Sequence, residues 1–445
     1  MRNRLLPCVF AMCLLFATVA HAQKKITLEE AIAIGLENNF GIRVAKNEAQ
    51  IANINHHIGE SGYLPSISMS GEYSKVNDDL HIADRISQSE VNDHEDIHYR
   101  GASLSMDWKV FEGFWKITNH KKLGELEKLG RNQANIVIEN TVLDITAAYY
   151  NIVRHERRIE VLNNTVEISE DRSQIARTKY ELGAGSEYDL LVTDTDLNVD
   201  RTEVIREKLL LHSAKMTLVQ LLDLDPLQDF EVMSEIELNN AMTLVEVREG
   251  ALASNKALLS ARLAKNVAGL ERKEVFQKRF PEISFNASYN LSQEEELQGV
   301  GVHNIEKLDG YFYGLVARFN LFDGFKQNRR AQVAKIQYEN RHYQENEQLK
   351  IIETTLLSNY ENYKEMIALI ELEKENLNLA RKALEIALER FKLANITPVE
   401  LRESQRTLLN TETRLITAMF EAKIHEMELL RLSGKLLDHY NIAPL

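Results

Sequence analysis

Several residue types that mark common protein classes are scarce in this chain. The only cysteines, Cys8 and Cys13, lie in an N-terminal segment that is expected to be removed, so a disulfide or a thiolate metal site is not expected in the remainder. Basic residues are outnumbered by acidic ones, 53 to 67, and form no block, which argues against a nucleic-acid partner. There is no glycine-rich phosphate loop, nucleophile elbow or His-Glu-x-x-His motif, so neither an enzyme nor a cofactor is predicted.

Long hydrophobic runs are also missing, except at the N-terminus. Arg2 and Arg4 precede an apolar run over 5–20, and Ala20-His21-Ala22 forms a small-x-small cleavage site. This pattern predicts a secretory signal peptide over 1–22; the alternative, a membrane anchor, is disfavoured because the run is short for a spanning helix. No later stretch has the roughly 18 uncharged apolar residues that such a helix needs, so any membrane crossing would use strands.

The rest of the sequence contains an internal duplication. Thr27-Leu28 matches Thr243-Leu244 at an offset of 216, and Val110–Phe114 matches Leu321–Phe325 at an offset of 211. The change of offset places five extra residues in one loop of the first copy. The sequence therefore predicts a first structural repeat over 23–225, a connector over 226–241 that Pro226 introduces, and a second structural repeat over 242–445.

After a first helix, each repeat alternates apolar and polar residues. The alternation predicts strand pairs over 64–75 and 99–111 and over 280–291 and 310–322, each about as long as an outer-membrane strand. A half-buried sheet of a soluble protein would alternate in the same way. The unbroken apolar faces favour lipid contact, and so do aromatic residues near the strand ends, which resemble a membrane-interface girdle. Those aromatic residues are Trp108, Phe111, Phe114, Trp115, Phe319, Phe322 and Phe325.

Two very long helices follow the strands. The stretches 114–182 and 325–394 contain no proline, and their apolar residues recur every seven positions, which is typical of supercoiled helices. A helix of about 70 residues spans roughly 100 Å. Return helices are predicted over 186–222 and 398–436, so that each repeat forms an antiparallel coiled-coil hairpin. The hairpin tips are Gly183, Ala184 and Gly185 in the first repeat and Ala394, Asn395 and Ile396 in the second.

Four strands cannot close a barrel in a membrane, where open sheet edges are not tolerated. Three chains would pool 12 strands, an even number in the usual range. The fold class that we predict is an α+β membrane protein, in which a 12-stranded trimeric barrel continues into an α-barrel of coiled-coil helices across the periplasm.

In this order, the elements resemble the TolC family of outer-membrane efflux channels. The matching motifs are Leu28-Glu-Glu-Ala31, Tyr63-Leu-Pro-Ser-Ile67, Leu321-Phe-Asp-Gly-Phe325 and Tyr180-Glu-Leu-Gly183. The resemblance implies a homotrimer in the outer membrane that serves a tripartite efflux or type I secretion system. It also implies two partners, an inner-membrane pump or transporter and a periplasmic adaptor that docks on the hairpin tips. The alternative is a periplasmic structural coiled coil or adaptor, which would carry one hairpin and a separate soluble β-domain.

The resemblance also implies a carboxylate-lined periplasmic entrance. The matching positions are Glu400 and Glu403, one turn apart on one helix face, which would form rings of carboxylates that favour cations. Each has a local alternative. Glu400 closes a capping box with Thr397, and Glu403 can pair with Arg406.

A histidine-rich segment of the first repeat contains ligand-type residues without the spacing of a known metal site, so we predict a solvated outer loop there. Its residues are His81, Asp84, His94, Glu95, Asp96 and His98.

Overall fold

A computed structural model describes residues 24–84, 89–227, 230–233, 235–239, 242–298, 303–393 and 395–445. The predicted signal peptide over 1–22 and the tip residue Ala394 lie outside these ranges. The fold is α+β, as predicted, and is dominated by long helices.

The elements follow one another in the same order in both repeats. The helices are α1 Leu28–Asn38, α2 Phe40–Asn55, α3 Trp115–Glu181, α4 Glu187–Leu222, α5 Leu244–Ser254, α6 Lys256–Gln277, α7 Lys326–Lys392, α8 Pro398–Leu432 and α9 Leu436–His439. The strands are β1 Lys24–Ile26, β2 Ser66–Asp84, β3 Ser89–Glu112, β4 Phe230–Val232, β5 Glu282–Gln298 and β6 His303–Arg318.

The described residues form two compact units, and each unit combines parts of both repeats. The first, here called the hairpin unit, contains 24–45, 135–255 and 351–444 within the described ranges. The second, here called the sheet unit, contains 46–134 and 256–350 within those ranges. Because the long helices α3 and α7 continue from one unit into the other, each repeat contributes helix to both.

The sheet unit contains one antiparallel sheet with the strand order β2-β3-β5-β6. The two repeats meet between β3 and β5, where Trp108 lies opposite Phe285. Strands β2 and β3 are longer than the alternation predicted, and β2 pairs with β3 as far as Asp84 opposite Ser89. The outer loop predicted for the histidine-rich segment is therefore wrong for all six of its named residues, because antiparallel backbone hydrogen bonds continue after the apolar alternation has ended.

Each repeat begins with two helices where a single first helix was predicted. The break falls at Asn39 and again at Asn255, both with extended backbone. The Nδ2 of Asn39 donates to the carbonyl of Leu221 at 3.0 Å, and the Nδ2 of Asn255 donates to the carbonyl of Leu432 at 2.9 Å. In each repeat an asparagine side chain thus ties the helix break to the end of the return helix.

Strand β1 contributes Ile26 to the core of the hairpin unit. Strand β1 pairs in parallel with β4, so the predicted connector over 226–241 contains a strand. The Tyr149 hydroxyl donates to the Ile26 carbonyl at 3.0 Å and accepts from the Met233 amide at 2.9 Å. Burial raises the pKa of this hydroxyl, which therefore stays protonated.

The return helix of the second repeat ends earlier than predicted. It stops at Leu432, and the short helix α9 follows. Gly434 has a φ of +70°, a left-handed conformation that ends a helix readily in glycine. Among the described residues, no helix combines the length and the apolar character that crossing a bilayer requires.

Candidate functional site

One face of the four-stranded sheet is apolar and exposed in the single chain. Met69 lies opposite Leu104, which lies opposite Tyr289, which lies opposite Tyr311, so the row crosses all four strands. Their exposed fractions are 80%, 51%, 45% and 79%. Exposed apolar surface of this extent marks an interaction site.

The opposite face is polar across the first three strands. The Ser68 and Ser105 hydroxyls hydrogen-bond at 2.8 Å, and the Ser103 hydroxyl donates to Asn290 at 2.7 Å. On β6 this face also carries Phe312. Lipid outside and water inside would produce this division of faces in a transmembrane sheet.

Aromatic residues surround the joint between strand and helix in each repeat. Gly113 and Phe114 both have positive φ, as do Gly324 and Phe325, so the same left-handed turn leads into α3 and α7. The Trp108 indole donates to the Tyr63 carbonyl at 2.9 Å. The seven aromatic residues predicted for the membrane interface are all partly or largely exposed in the single chain.

Glu400 lies in the first turn of α8 and makes the capping interaction foreseen as its alternative role. Its Oε2 accepts from the Thr397 amide at 2.7 Å and from the Thr397 hydroxyl at 2.9 Å. These hydrogen bonds lower the pKa of the Glu400 carboxyl, the backbone bond having the largest effect. The carboxylate is exposed and stays ionised near neutral pH.

Glu403 lies one turn further along α8 and is 72% exposed. Its Oε2 lies 3.7 Å from Arg406 Nη1, the pair that the sequence offered as the alternative to pore lining. An exposed pair of this length adds little stability. Both carboxylates therefore face solvent in the single chain.

A buried ion network, which the sequence analysis missed, lies on the other side of this helix segment. Arg402 makes a bidentate pair with Asp200, with distances of 2.6 and 2.7 Å, and Ser169 donates to the same carboxylate at 2.6 Å. Arg172 is completely buried and donates to Asp196 at 2.7 Å. The network thus joins α3 and α4 of the first repeat to α8 of the second.

The two arginines of the network differ in how many of their N–H groups have a hydrogen-bond acceptor. Burial lowers the pKa of Arg402, but the hydrogen bonds and charge of Asp200 outweigh this effect and raise it. Burial lowers the pKa of Arg172 despite Asp196, and its Nε and Nη1 have no hydrogen-bond partner among the described residues. A buried donor without a partner destabilises a fold by about 1–3 kcal/mol.

Apolar packing surrounds the same helix ends. Phe391 and Leu401 are buried in one cluster, and Ile396 packs against it. The TolC family, which the sequence resembles, often has an aromatic and a basic residue just before this point; Phe391 keeps the ring without a hydroxyl, and Ile396 replaces the base. Here the Phe391 ring lies 4.5 Å from the ammonium group of Lys179, which also donates to the Phe391 carbonyl at 3.0 Å.

Comparison with known proteins now identifies the family. The family model described as outer membrane efflux protein matches residues 32–223 and 247–435, one segment in each repeat. The chain belongs to this family. As an outer membrane efflux protein, it is a channel component of an efflux system in the outer membrane.

Individual relatives of this efflux protein are distant. The outer membrane efflux protein BepC of Brucella suis biovar 1 (strain 1330) is 19% identical over 433 residues, which cover 96% of this chain and 90% of BepC. The structure of VceC from Vibrio cholerae is 14% identical, covers 92% of this chain and 96% of its own, and superposes with a TM-score of 0.74.

The Campylobacter jejuni CmeC outer membrane channel is also 14% identical; the match covers 92% of this chain and 86% of that one with a TM-score of 0.75. These structural likenesses show that the efflux protein has the fold of the outer-membrane channels. The family match favours the channel interpretation over the alternative of a periplasmic adaptor.

Both hairpin tips of the efflux protein lie at tight reversals. Gly183 has a φ of +71°, and the Ala184 amide donates to the Lys179 carbonyl at 2.8 Å. In the second tip the Asn395 amide donates to the Arg390 carbonyl at 2.9 Å. Gly183 and Ala184 are exposed, as is Asn395, whereas Gly185 and Ile396 are half-buried.

The histidine-rich segment brings no described group of metal ligands together. Among the described residues, no cluster of three or more His, Cys, Asp or Glu side chains could hold a metal ion. Asp96 lies 3.3 Å from Lys75, and His98 contacts the Tyr73 hydroxyl at 3.2 Å. The side chains of His81, Asp84, His94 and Glu95 lie outside the described part of the structure.

Proposed function

We propose that three copies of the chain assemble into a conduit whose 12-stranded barrel spans the outer membrane. The sheet carries this proposal. Strands β2 and β6 are its outer strands, each paired on one side only within the described residues, and its apolar face is exposed. A membrane admits such a sheet only when its edges are paired. Joining β6 of one copy to β2 of the next satisfies both edges and turns every apolar face toward lipid.

The aromatic residues at the strand ends support a membrane boundary at that level. Trp108 lies near the end of β3, Phe319 and Phe322 follow the end of β6, and Phe111 packs edge-to-face on Phe114 at 5.3 Å. Phe322 packs in the same way on Phe325 at 5.4 Å. Together with Trp115, these amphipathic or bulky rings would form the interfacial girdle of the barrel.

Glu400 and Glu403 would line the periplasmic entrance of the assembled conduit. Arg402 lies between them in sequence and is drawn into the buried network with Asp200, which fixes the orientation of α8 at this point. With Arg402 directed inward, its exposed neighbours are left on the solvent side. Three copies would then present six carboxylates, a ring that attracts cations and repels anions.

The hairpin tips would supply the docking surface for a periplasmic adaptor, and an inner-membrane pump or transporter would complete the path. The tip residues in question are Gly183, Ala184, Gly185, Ala394, Asn395 and Ile396. The reversals lie at the ends of long helices, so a partner could contact their backbone and side chains without covering the pore.

The assembly is tested first by measuring the mass of the purified protein in detergent by light scattering. We expect three chains per particle, and a stable monomer would contradict the proposal. The entrance is tested in planar bilayers with Glu400→Gln plus Glu403→Gln. Glutamine keeps the size of each side chain, so we expect weaker cation selectivity because only the charge of the ring is lost.

The control is Glu361→Gln plus Glu371→Gln on α7. These residues are also exposed, and each pairs with a lysine three positions away, as Glu403 pairs with Arg406. The control removes the same charge and is expected to leave selectivity unchanged. Equal effects of the two double variants would assign the selectivity to net charge and remove the entrance role of Glu400 and Glu403.

A further inference from the structure

The sheet unit contains a large cavity whose charge is opposite to that of the whole protein. Its volume is about 1330 Å³, and residues of α3, α6 and α7 line it together with His56, which follows α2. The lining includes seven lysines and arginines but only two glutamates. The whole chain, in contrast, has a formal charge of −14.

Contacts between helices show how the helices around the cavity are ordered. Asn53 of α2 donates to Glu127 of α3, Lys122 of α3 pairs with Glu274 of α6, and Lys265 of α6 pairs with Glu345 of α7. The helices therefore neighbour one another in the order α2, α3, α6, α7, which parallels the strand order β2-β3-β5-β6. The cavity lies along this layer, against the three neighbouring helices α3, α6 and α7.

Part of the positive charge is already neutralised within the unit. Lys128 pairs with Glu125 at 2.8 Å, and Arg131 pairs with Glu127. Lys265 and Lys335 pair with glutamates at 2.5 and 3.7 Å.

Three exposed cations of the cavity remain without a carboxylate partner among the described residues: Lys121, Arg272 and Lys273. The guanidinium of Arg272 lies 5.9 Å from the centre of the Tyr338 ring. Tyr338 and the 55% exposed Phe276 add aromatic surface to the same lining.

We propose that this cavity, here called the cationic groove, is a transit site for anionic solutes that carry an aromatic or other flat apolar group. The unpaired cations would attract the anionic groups, and the rings would contact the apolar part. This inference rests on the proposed function, and it places the cationic groove on the lumenal side of the assembled tube. A solute that passes along the conduit would then meet three such grooves.

The decisive experiment measures binding of pyrenetetrasulfonate, a fluorescent aromatic polyanion, to the detergent-solubilised full chain by fluorescence anisotropy. We expect saturable binding that weakens with salt, because exposed charges are screened over about 8 Å at physiological ionic strength. The variant Lys121→Gln, Arg272→Gln, Lys273→Gln is expected to bind at least about tenfold more weakly, since it removes the unpaired cations.

The matched control is Lys46→Gln, Lys326→Gln, Arg330→Gln. These cations are also exposed but do not line the cationic groove, and their loss changes the net charge equally. We expect less than about a twofold change in affinity, because screening weakens distant charges. Absence of saturable binding to the natural sequence, or an equal loss in the two triple variants, would overturn the inference.

A bilayer measurement separates this inference from the proposed function. Pyrenetetrasulfonate is expected to block current through the natural sequence and not through the groove variant. Pores that form but are never blocked would overturn the lumenal site and leave the channel intact. Failure to form trimers or pores would contradict the proposed function, whereas anisotropy would still report whether the groove binds the anion.

Discussion

The two helical hairpins of this protein descend from one duplicated sequence but use different chemistry near their tips. In the first hairpin, α3 and α4 bury charged and polar side chains, among them Arg172, Asp200 and Ser169. In the second, α7 and α8 bury Phe391 and Leu401. Duplication has kept the backbone of the repeat, whereas the buried side chains have diverged to complement each other.

The alignment of the repeats shows how far this divergence goes. At the offset of 211, Asp200 corresponds to Thr411 and Arg402 corresponds to Leu191. Ser169 corresponds to Ala380. Neither repeat could form the ion network with a copy of itself, so the network specifies how unlike hairpins pair.

The largest effect is expected from Asp200→Thr, which gives the first hairpin the residue of its counterpart. Arg402 would keep its charge in a mostly buried place without its bidentate partner, so we expect a loss of about 3 kcal/mol in unfolding free energy. Adding Arg402→Leu should restore most of that loss, because both charges are then absent. Urea denaturation followed by circular dichroism measures both effects.

The control for this prediction removes an exposed pair between α3 and α4, two of the helices that the network joins. Arg201 and Glu170 lie 2.7 Å apart and are each about half exposed. Glu170→Thr is therefore expected to lose less than about 1 kcal/mol. If the exposed and the buried substitutions had equal effects, the difference between the two hairpins would not lie in the network.

A smaller effect is expected at the helix break that both repeats share. Asn39→Ala and Asn255→Ala each leave a carbonyl at the end of a return helix without its side-chain donor, which typically destabilises by about 1–2 kcal/mol. The loss should be larger for Asn255, which is only 5% exposed. Thermal unfolding of the two variants side by side tests this order, and a reversed order would contradict the burial argument.

The caps of the two return helices sharpen the comparison further. The Ser186 hydroxyl accepts from the Asp189 amide at 3.1 Å, whereas Thr397 and Glu400 cap each other reciprocally. Ser186→Ala and Thr397→Ala should each destabilise by about 1 kcal/mol, because each removes a hydroxyl that accepts from a first-turn amide and donates to a carboxylate of the same turn. Hydrogen exchange of the first-turn amides of α4 and α8 reports both changes.

The smallest effect is a pH dependence confined to the second hairpin. Because the fold lowers the pKa of Glu400 below its ordinary value of 4.5, the cap contributes stability above that value. The contribution is lost as the pH falls through the folded-state pKa. Exchange of the first-turn amides of α8, corrected for intrinsic rates, should quicken in acid relative to those of α4.

Glu400→Gln is the control for this prediction, since glutamine does not titrate. The selective acid response of α8 should disappear in this variant. If it persisted, another group would be responsible for the pH dependence.

The sequence predicts the repeated framework well because its signals are local and periodic. Alternation identifies the strands, and the absence of proline identifies α3 and α7. The predicted strands leave out the last part of β2 and the first part of β3. The polar residues around Asn77 end the alternation but not the backbone pairing with Asp96. The helix break had a visible clue, because Asn39 and Asn255 match at the offset of 216.

The ion network was harder to foresee. Asp200 and Arg402 are separated by 202 positions, and no periodicity connects them. The clue in the sequence was a difference between the two repeats. At these positions the two repeats differ in charge, and paired differences between duplicated segments indicate a contact between the segments rather than within one. The roles of Glu400 and Glu403 depend on neighbouring copies, which a single sequence does not display.

The network between unlike hairpins has a consequence for symmetry. In a ring of three chains, the strands alone repeat almost every 60° because the two halves of each chain are alike. Near the tips this 60° repeat would be broken. The two hairpins of one chain meet through the ion network, whereas the next contact around the proposed ring lies between hairpins of different chains. A partner that binds around this ring therefore meets two alternating kinds of surface, and it must either distinguish them or bind in every second position.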